Sequence, residues 1–302
     1  MNRDKIVIGS RGSKLALIYA EKVKSKLMDN FSKKIEIKTI VTEGDVNQKD
    51  RLSEVGGKGL FLKNIESELL ENKIDLAVHA LKDMPGIETK GLTTNCFLER
   101  NYPNEILISK DNVKFDKLKS KSIIGTSSYR REYQLKHLRN DLNYKLIRGN
   151  VDTRIKKLNA GLYDAIILSK AGIDSLNLNN HITQEFSIEE IIPSAGQGVI
   201  AVQCRNDDKD VKEILKRINH EETSICCFAE RELLKTLEGD CNTAIGAIST
   251  IDQNTITLNV ELFSKDGKKR YFIKESKDLS SAKELGNEIG ELLKKKSKGS
   301  YK

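Results

Sequence analysis

Leu76-Ala77-Val78 is a short apolar run that ends at His79, and its length and composition are those of a buried strand. It follows a helical pattern through Leu62, Ile65 and Leu69. Strand and helix patterns alternate in this way over the first two thirds of the chain. Such alternation predicts a parallel sheet with helices on both faces, so this segment indicates an α/β fold.

The same pattern extends in both directions from this segment. Upstream, a strand at Lys5–Ile8 precedes a helix whose apolar residues recur every four positions, at Leu15, Tyr19, Val23 and Leu27. Downstream, the pattern restarts near Ser122, with strands expected at Ile123-Ile124, Lys145–Ile147 and Ala165–Leu168 and a helix at Val151–Leu158. Two similar α/β units are expected, with a crossover near Asn101–Asn104 and one further strand at Val199–Cys204.

After about His220 the rhythm changes. A helix through Leu233 and Leu237 is followed by expected strands at Ala244–Ser249 and Thr255–Val260. A last helix is expected over about Ser280–Leu293. The C-terminal part therefore predicts a smaller α+β unit.

The composition argues against several classes of protein. The chain has 302 residues, of which 38% are hydrophobic, which is enough for ordinary cores. No apolar run approaches the roughly 20 residues of a membrane helix. The N-terminal apolar stretch is too short for a signal peptide, so we expect a cytoplasmic protein with no membrane partner.

The five cysteines are odd in number and show no CxxC spacing, which argues against a disulfide framework and a zinc site. No Walker A loop and no GxGxxG follows a strand, so nucleotide binding is unsupported. The net charge is +8, which suits nucleic acid, a membrane surface or an acidic ligand. Aromatic residues make up only 5%, without Trp, which argues against base-stacking nucleic-acid binders.

Basic and hydroxyl residues recur where the predicted strands end, in segments 9–14, 125–131 and 148–154, and Lys58 lies in a Gly-rich loop. In open α/β sheets, ligands bind at the carboxyl ends of strands, and helix N-termini there attract anions. A single Arg at such a place is most simply part of a surface ion pair. Three sets at matching positions favour a cleft for a ligand with several anionic groups.

Two further residues have a chemical and a structural interpretation. Asp83 lies shortly after the strand that runs into His79. A carboxylate at this place, in a cationic cleft, would be ionised and able to stabilise a cation. It is equally well a turn-forming residue before Pro85. Cys241 lies in a polar loop after a helix, but its neighbour Asp240 opposes a low thiol pKa, so on its own it is most simply a free surface thiol.

Taken together, these segments resemble the porphobilinogen deaminase (hydroxymethylbilane synthase) family of tetrapyrrole biosynthesis. The resemblance covers most of the chain, in order, at Ile8–Ser13, Gly57–Phe61, His79–Pro85, Gly125–Arg131, Arg148–Arg154, Pro193–Gly198 and Cys241–Ala247. It implies three domains. Residues 1–99 with 199–217 form the first and residues 100–198 the second, as two periplasmic-binding-protein-like (type II) α/β domains, and residues 218–302 form a smaller α+β domain that carries the cofactor cysteine.

The resemblance also implies the chemistry. Cys241 would hold a dipyrromethane cofactor through a thioether, and four porphobilinogen molecules would be joined to it, each losing ammonia, before water releases hydroxymethylbilane. Asp83 matches the catalytic carboxylate. The positions that match cofactor- or chain-binding residues are Arg11, Ser13, Lys58, Lys82, Thr126, Ser128, Arg130, Arg131, Arg148 and Arg154. No metal, nucleic acid or membrane partner is implied, and a cytoplasmic monomer is expected.

The chain departs from the family pattern at a few positions. Asp240 stands where Gly is common, Ala80 where Ser is usual, and Ser175 where a basic residue often adds to the anion site.

The alternative function is a non-catalytic protein of the same two-lobed fold that binds small polyanions. It would account for the arginines but gives no task to Asp83 or Cys241.

Overall fold

The structure is a computed structural model that describes residues 5–29, 34–42, 62–239 and 243–302. The expected site residues Lys58 and Cys241 lie outside the described residues, as does Asp240. Across those described ranges, no helix combines the length and apolar character needed to cross a bilayer.

In chain order, the described strands are β1 (Lys5–Arg11), β2 (Lys34–Ile40), β3 (Leu76–Ala80), β4 (Leu92–Phe97), β5 (Glu105–Ser109), β6 (Ile123–Gly125), β7 (Asn143–Lys145), β8 (Ala165–Ser169), β9 (Gln184–Glu185), β10 (Ile200–Arg205), β11 (Ile245–Asp252), β12 (Thr255–Phe263) and β13 (Arg270–Asp278). The described α-helices are α1 (Lys14–Met28), α2 (Lys63–Leu70), α3 (Tyr129–Leu138), α4 (Val151–Asn159), α5 (Lys170–Ser175), α6 (Lys209–Lys216), α7 (Glu221–Leu237) and α8 (Ala282–Ser297).

The first sheet has the strand order β2-β1-β3-β10-β4, and we call this sheet with its helices the first lobe. β1 pairs in parallel with β2 and β3, as the alternating pattern predicts. The prediction of a wholly parallel sheet is wrong, however, because β10 runs antiparallel to both β3 and β4. The chain forms a second sheet before it returns to the first one as β10. On that return it runs opposite to β3 and β4.

The second sheet has the order β7-β6-β8-β5-β9, and with its helices it forms the second lobe. β6 is parallel to β7 and β8, while β5 is antiparallel to β8 and β9. Each strand therefore has a counterpart at the same place in the first sheet. This repeated order confirms the expected pair of similar α/β units.

The strand expected at Lys145–Ile147 lies earlier, at β7. Its pairing with β6 ends at Lys145, whose carbonyl accepts a hydrogen bond from Thr126 N at 3.0 Å. Ile147 is nevertheless buried in the core of the second lobe beside Ile166. The apolar pair at Leu146-Ile147 thus reflects packing after the strand rather than the strand itself.

The third unit is an antiparallel sheet, β11-β12-β13, covered by α7 and α8. Its core includes Leu233, Leu258 and Ile289, all nearly or fully buried. The expected α+β unit is confirmed. β13 was not predicted, because most of its side chains are exposed and its apolar residues are confined to Tyr271-Phe272-Ile273.

Two chain segments join the lobes, around residues 98–101 and 198–200, and they lie side by side where they cross. Leu98 N donates to Ile200 O at 3.0 Å, and Asn101 N donates to Gly198 O at 2.9 Å. Gly198 has a φ of +81°, and a Cβ there would lie 2.2 Å from Asn101 O, so only glycine fits this close crossing.

The third unit is fastened to this crossing by Glu230 on α7, which is fully buried. Its carboxylate accepts hydrogen bonds from Arg100 Nη2 at 2.8 Å, Gly196 N at 2.6 Å and Ser249 N at 2.8 Å. One buried carboxylate thereby ties both crossing segments to the third sheet.

Candidate active site

Lys82 and Asp83 lie in a short 3₁₀ turn, Leu81–Asp83, directly after β3. Leu81 N donates to Val199 O at 3.0 Å, and the side chains of Leu81 and Met84 are buried on either side of the turn. These anchors leave Lys82 and Asp83 half-buried at the carboxyl end of a central strand, where ligands of α/β sheets bind.

Asp83 acts on titratable groups from both lobes. Burial, together with the Asp83 carboxylate, raises the pKa of Tyr19 on α1 to about 12. Burial lowers the pKa of His79 to about 4 and that of Arg154 on α4 to about 10, and in both cases Asp83 opposes the change. The carboxylate therefore lies in the cleft between the lobes.

Lys82 bridges the cleft. Its Nζ donates to Ser169 Oγ of the second lobe at 3.1 Å and to Gln197 Oε1 at 3.3 Å. Burial and Arg131 lower the pKa of the Lys82 ammonium to about 8, and Asp83 opposes them. The predicted neighbours Lys82, Asp83 and Arg131 are thus brought together.

Arg130 and Arg131 begin α3 and share one carboxylate, Glu105, which is fully buried. Glu105 Oε1 lies 2.6 Å from Arg130 Nη2, and Oε2 lies 2.8 Å from Arg131 Nη2. Arg130 Nη1 also donates to Ile192 O at 2.9 Å, so both ends of this guanidinium are engaged. Burial alone would raise the pKa of Glu105, but the two guanidinium groups lower it to about 2.

We predict that Glu105→Gln destabilises the protein by about 3–5 kcal/mol, because two buried guanidinium groups lose their counter-charge. The shift is measured by urea unfolding at neutral pH. Since the pKa of Glu105 is lowered, its contribution is present above the ordinary carboxyl pKa and is lost as the pH falls toward about 2. Glu213→Gln is the matched control, because that carboxylate pairs with Lys216 at the surface and should contribute under ~1 kcal/mol. Equal losses in the two variants would contradict the prediction.

Arg148 and Arg154 lie near each other on the second lobe. The pKa of Arg154 is lowered mainly by burial, then by Arg131, and then by Arg148. Arg154 Nε donates to Gly149 O at 2.8 Å, which holds the side chain against its own loop. Across the cleft, Arg11 ends β1, and its charge acts on His79. Arg11 therefore lies on the first-lobe side of the same site.

The three predicted hydroxyl residues organise the backbone around the site. Ser13 caps α1 by accepting from Ala16 N at 3.3 Å, and Ser128 caps α3 by accepting from Arg131 N at 3.4 Å. Thr126 is buried and accepts from Ser128 N at 3.2 Å. A hydroxyl that accepts one hydrogen bond still has an O–H to donate, so the expected ligand role stays a prediction.

Sequence reasoning missed several residues that shape the site: Tyr19, Glu105, Ser169 and Gln197. Glu105 had a detectable signal, because an acidic residue opens the apolar strand Ile106-Leu107-Ile108. Ser169 had none, since its partner Lys82 is distant in sequence and lies on the other lobe.

The charge of this cleft fits a ligand with several carboxylates. Lys82 and Arg154 both have pKa values lowered by burial and by neighbouring cations, so positive charge is in surplus there. Among the residues that the structure describes, Arg131 Nε is buried without a hydrogen-bond partner. A polyanion would relieve the repulsion and supply acceptors.

Known proteins are similar to this chain in fold or in sequence. A solved structure with a similar chain path is a periplasmic binding protein of Salmonella typhimurium with high arginine specificity, at 11% identity, TM-score 0.42, over 72% of this chain and 92% of that one. Curated relatives are much nearer in sequence. The porphobilinogen deaminase of Staphylococcus carnosus is 41% identical over 96% of this chain and 94% of its own, and that of Staphylococcus epidermidis is 40% identical over 98% and 96%.

Two family models cover most of the chain. Residues 6–213 match the porphobilinogen deaminase dipyrromethane cofactor binding domain, and residues 224–295 match the porphobilinogen deaminase C-terminal domain. With a cationic cleft around Asp83 and near-full-length relatives at this identity, the chain belongs to the porphobilinogen deaminase family.

Proposed function

We propose that the chain is a hydroxymethylbilane synthase, a transferase of tetrapyrrole biosynthesis that condenses four porphobilinogen molecules head to tail, with loss of ammonia, and releases hydroxymethylbilane. The observation that carries this proposal is Asp83, a carboxylate among cationic groups from both lobes, in a chain whose relatives are porphobilinogen deaminases. Each pyrrole carries an acetate and a propionate, so a growing chain accumulates the negative charge that this cleft suits.

The dipyrromethane group would be attached to Cys241 by a thioether and would supply the primer to which pyrroles are added. We propose that its carboxylates, and those of the growing chain, are bound by Arg11, Ser13, Lys58, Lys82, Thr126, Ser128, Arg130, Arg131, Arg148 and Arg154. The division into residues 1–99 with 199–217, 100–198 and 218–302 is likewise proposed, and the three separate sheets support it. A cytoplasmic location and a monomeric state remain predictions from the sequence.

Asp83 has two tasks in this proposal. When ammonia leaves porphobilinogen, positive charge develops on the pyrrole nitrogen, and a nearby carboxylate stabilises it. When the new carbon–carbon bond forms, a proton leaves the pyrrole, and the same carboxylate accepts it. Lys82 keeps Asp83 in cationic surroundings.

The experiment that tests this function is incubation of the purified chain with porphobilinogen, followed by assays of ammonia and of the linear tetrapyrrole. We expect ammonia and hydroxymethylbilane to appear in a ratio of four to one. Binding of porphobilinogen without its consumption would instead indicate the non-catalytic polyanion-binding alternative, which finds no support among the relatives named above.

A further inference from the structure

A hydrogen bond links the two lobes beside Asp83. Lys82 Nζ, on the turn after β3, donates to Ser169 Oγ, at the end of β8 in the second lobe, at 3.1 Å. The same ammonium donates to Gln197 Oε1 at 3.3 Å in the segment that returns to the first lobe. Lys82 is therefore held from two directions.

The side chain of Ser169 is available for this contact. It occupies the N-cap of α5, but its side chain makes no cap hydrogen bond. A serine at this position ordinarily accepts from a backbone N–H in the first turn of the helix. Here the hydroxyl of Ser169 accepts from Lys82 across the cleft, while Lys170 N donates to Asn104 O at 2.9 Å.

Gln197 supplies the second fixed acceptor. Its side chain is fully buried, and its Nε2 donates to Pro103 O at 2.6 Å. That bond fixes the orientation of the amide, so the oxygen is the atom available to Lys82. An ammonium has three N–H donors. Among the described residues two acceptors meet it, which leaves one donor for a carboxylate.

We infer that Ser169 is a positioning residue, which holds the Lys82 ammonium beside Asp83 so that one N–H donor remains for a carboxylate of the bound pyrrole chain. The nature of that ligand rests on the proposed function. The hydrogen bond between Lys82 and Ser169 does not.

The charged groups around Lys82 determine how its titration responds. Burial, together with Arg131 and Arg130 on α3, lowers its pKa to about 8. Asp83 on the same turn and Glu105 on β5 oppose them. A hydroxyl that accepts from the charged form favours that form, so its removal should make deprotonation easier.

The test is Ser169→Ala, with Lys82 titrated by trace acetylation across a pH series and peptide mass spectrometry. We expect the midpoint of Lys82 labelling to fall by roughly one pH unit, since a hydrogen bond to a charged group is of that strength. Ser169→Thr should restore the midpoint because it keeps the hydroxyl. With porphobilinogen, Ser169→Ala should lower kcat/KM about tenfold, most strongly at alkaline pH.

Ser175→Ala is the matched control, because Ser175 lies on the same helix and its side chain bonds Tyr19 of the first lobe without touching Lys82. Its Lys82 midpoint should equal that of the wild type. An unshifted midpoint in Ser169→Ala, or the same shift in Ser175→Ala, would overturn the inference. The labelling needs no substrate, so failure to consume porphobilinogen would refute the proposed function while the shift at Lys82 still decides the role of Ser169.

Discussion

Asp83→Ala is expected to lower the rate of ammonia release from porphobilinogen by about 10²–10³ or more, while the protein still carries its cofactor. A preorganised group that stabilises developing charge is commonly worth that much. Asp83 has such a position, because its carboxylate acts on Lys82 and His79 from the first lobe and on Arg154 from the second. The rate is measured as ammonia released per enzyme under substrate saturation.

Two variants show whether charge is the cause. Asp83→Asn keeps the size of the side chain and should lose nearly as much activity as Asp83→Ala. Asp116→Ala removes a carboxylate that pairs with Lys117 on the surface and should leave the rate unchanged. Near-normal ammonia release by Asp83→Ala or Asp83→Asn would contradict the role assigned to Asp83.

Much of the fold follows from the periodicity of the sequence. The repeated strand-helix pattern predicts the two α/β units because parallel strands such as β1, β3, β6 and β8 are buried and read as apolar runs. The antiparallel direction of β10 could not be predicted, because an apolar run has the same appearance in either direction. β13 was missed because most of its side chains are exposed, so it lacks the apolar pattern of a buried strand.

The site was only partly predictable. Positions at strand ends identified the cationic groups, because the topology of an α/β sheet brings those ends together. The sequence did not show how these groups are paired. That Glu105 pairs with both Arg130 and Arg131, or that Lys82 reaches Ser169, depends on contacts between residues far apart in the chain.

The relation between Asp83 and Lys82 also explains how one site can bind anions and stabilise a cation. The surplus positive charge suits the carboxylates of the proposed ligand, while Asp83 is proposed to offer a negative group where the pyrrole nitrogen becomes charged. Glu105 is committed to its two arginines, with its pKa lowered to about 2, so it does not compete for that task. The two carboxylates therefore have separate roles, structural and chemical.

Cys241→Ser is expected to abolish both the covalent cofactor and turnover, because serine offers no thiol to form the thioether. Cys96, Cys204, Cys226 and Cys227 are buried, and burial raises the pKa of each thiol, which disfavours the reactive thiolate. They should therefore not replace Cys241 as the point of attachment. Cys226→Ser serves as a matched control that retains the attachment site.

The most direct test of the central claim is the intact mass of the purified protein after reconstitution with porphobilinogen. The wild type and Cys226→Ser should each exceed the mass of the bare chain by two porphobilinogen units less two ammonia, and Cys241→Ser should have the bare mass. A wild type at the bare mass, or a Cys241→Ser variant that carries the same addition, would contradict the account.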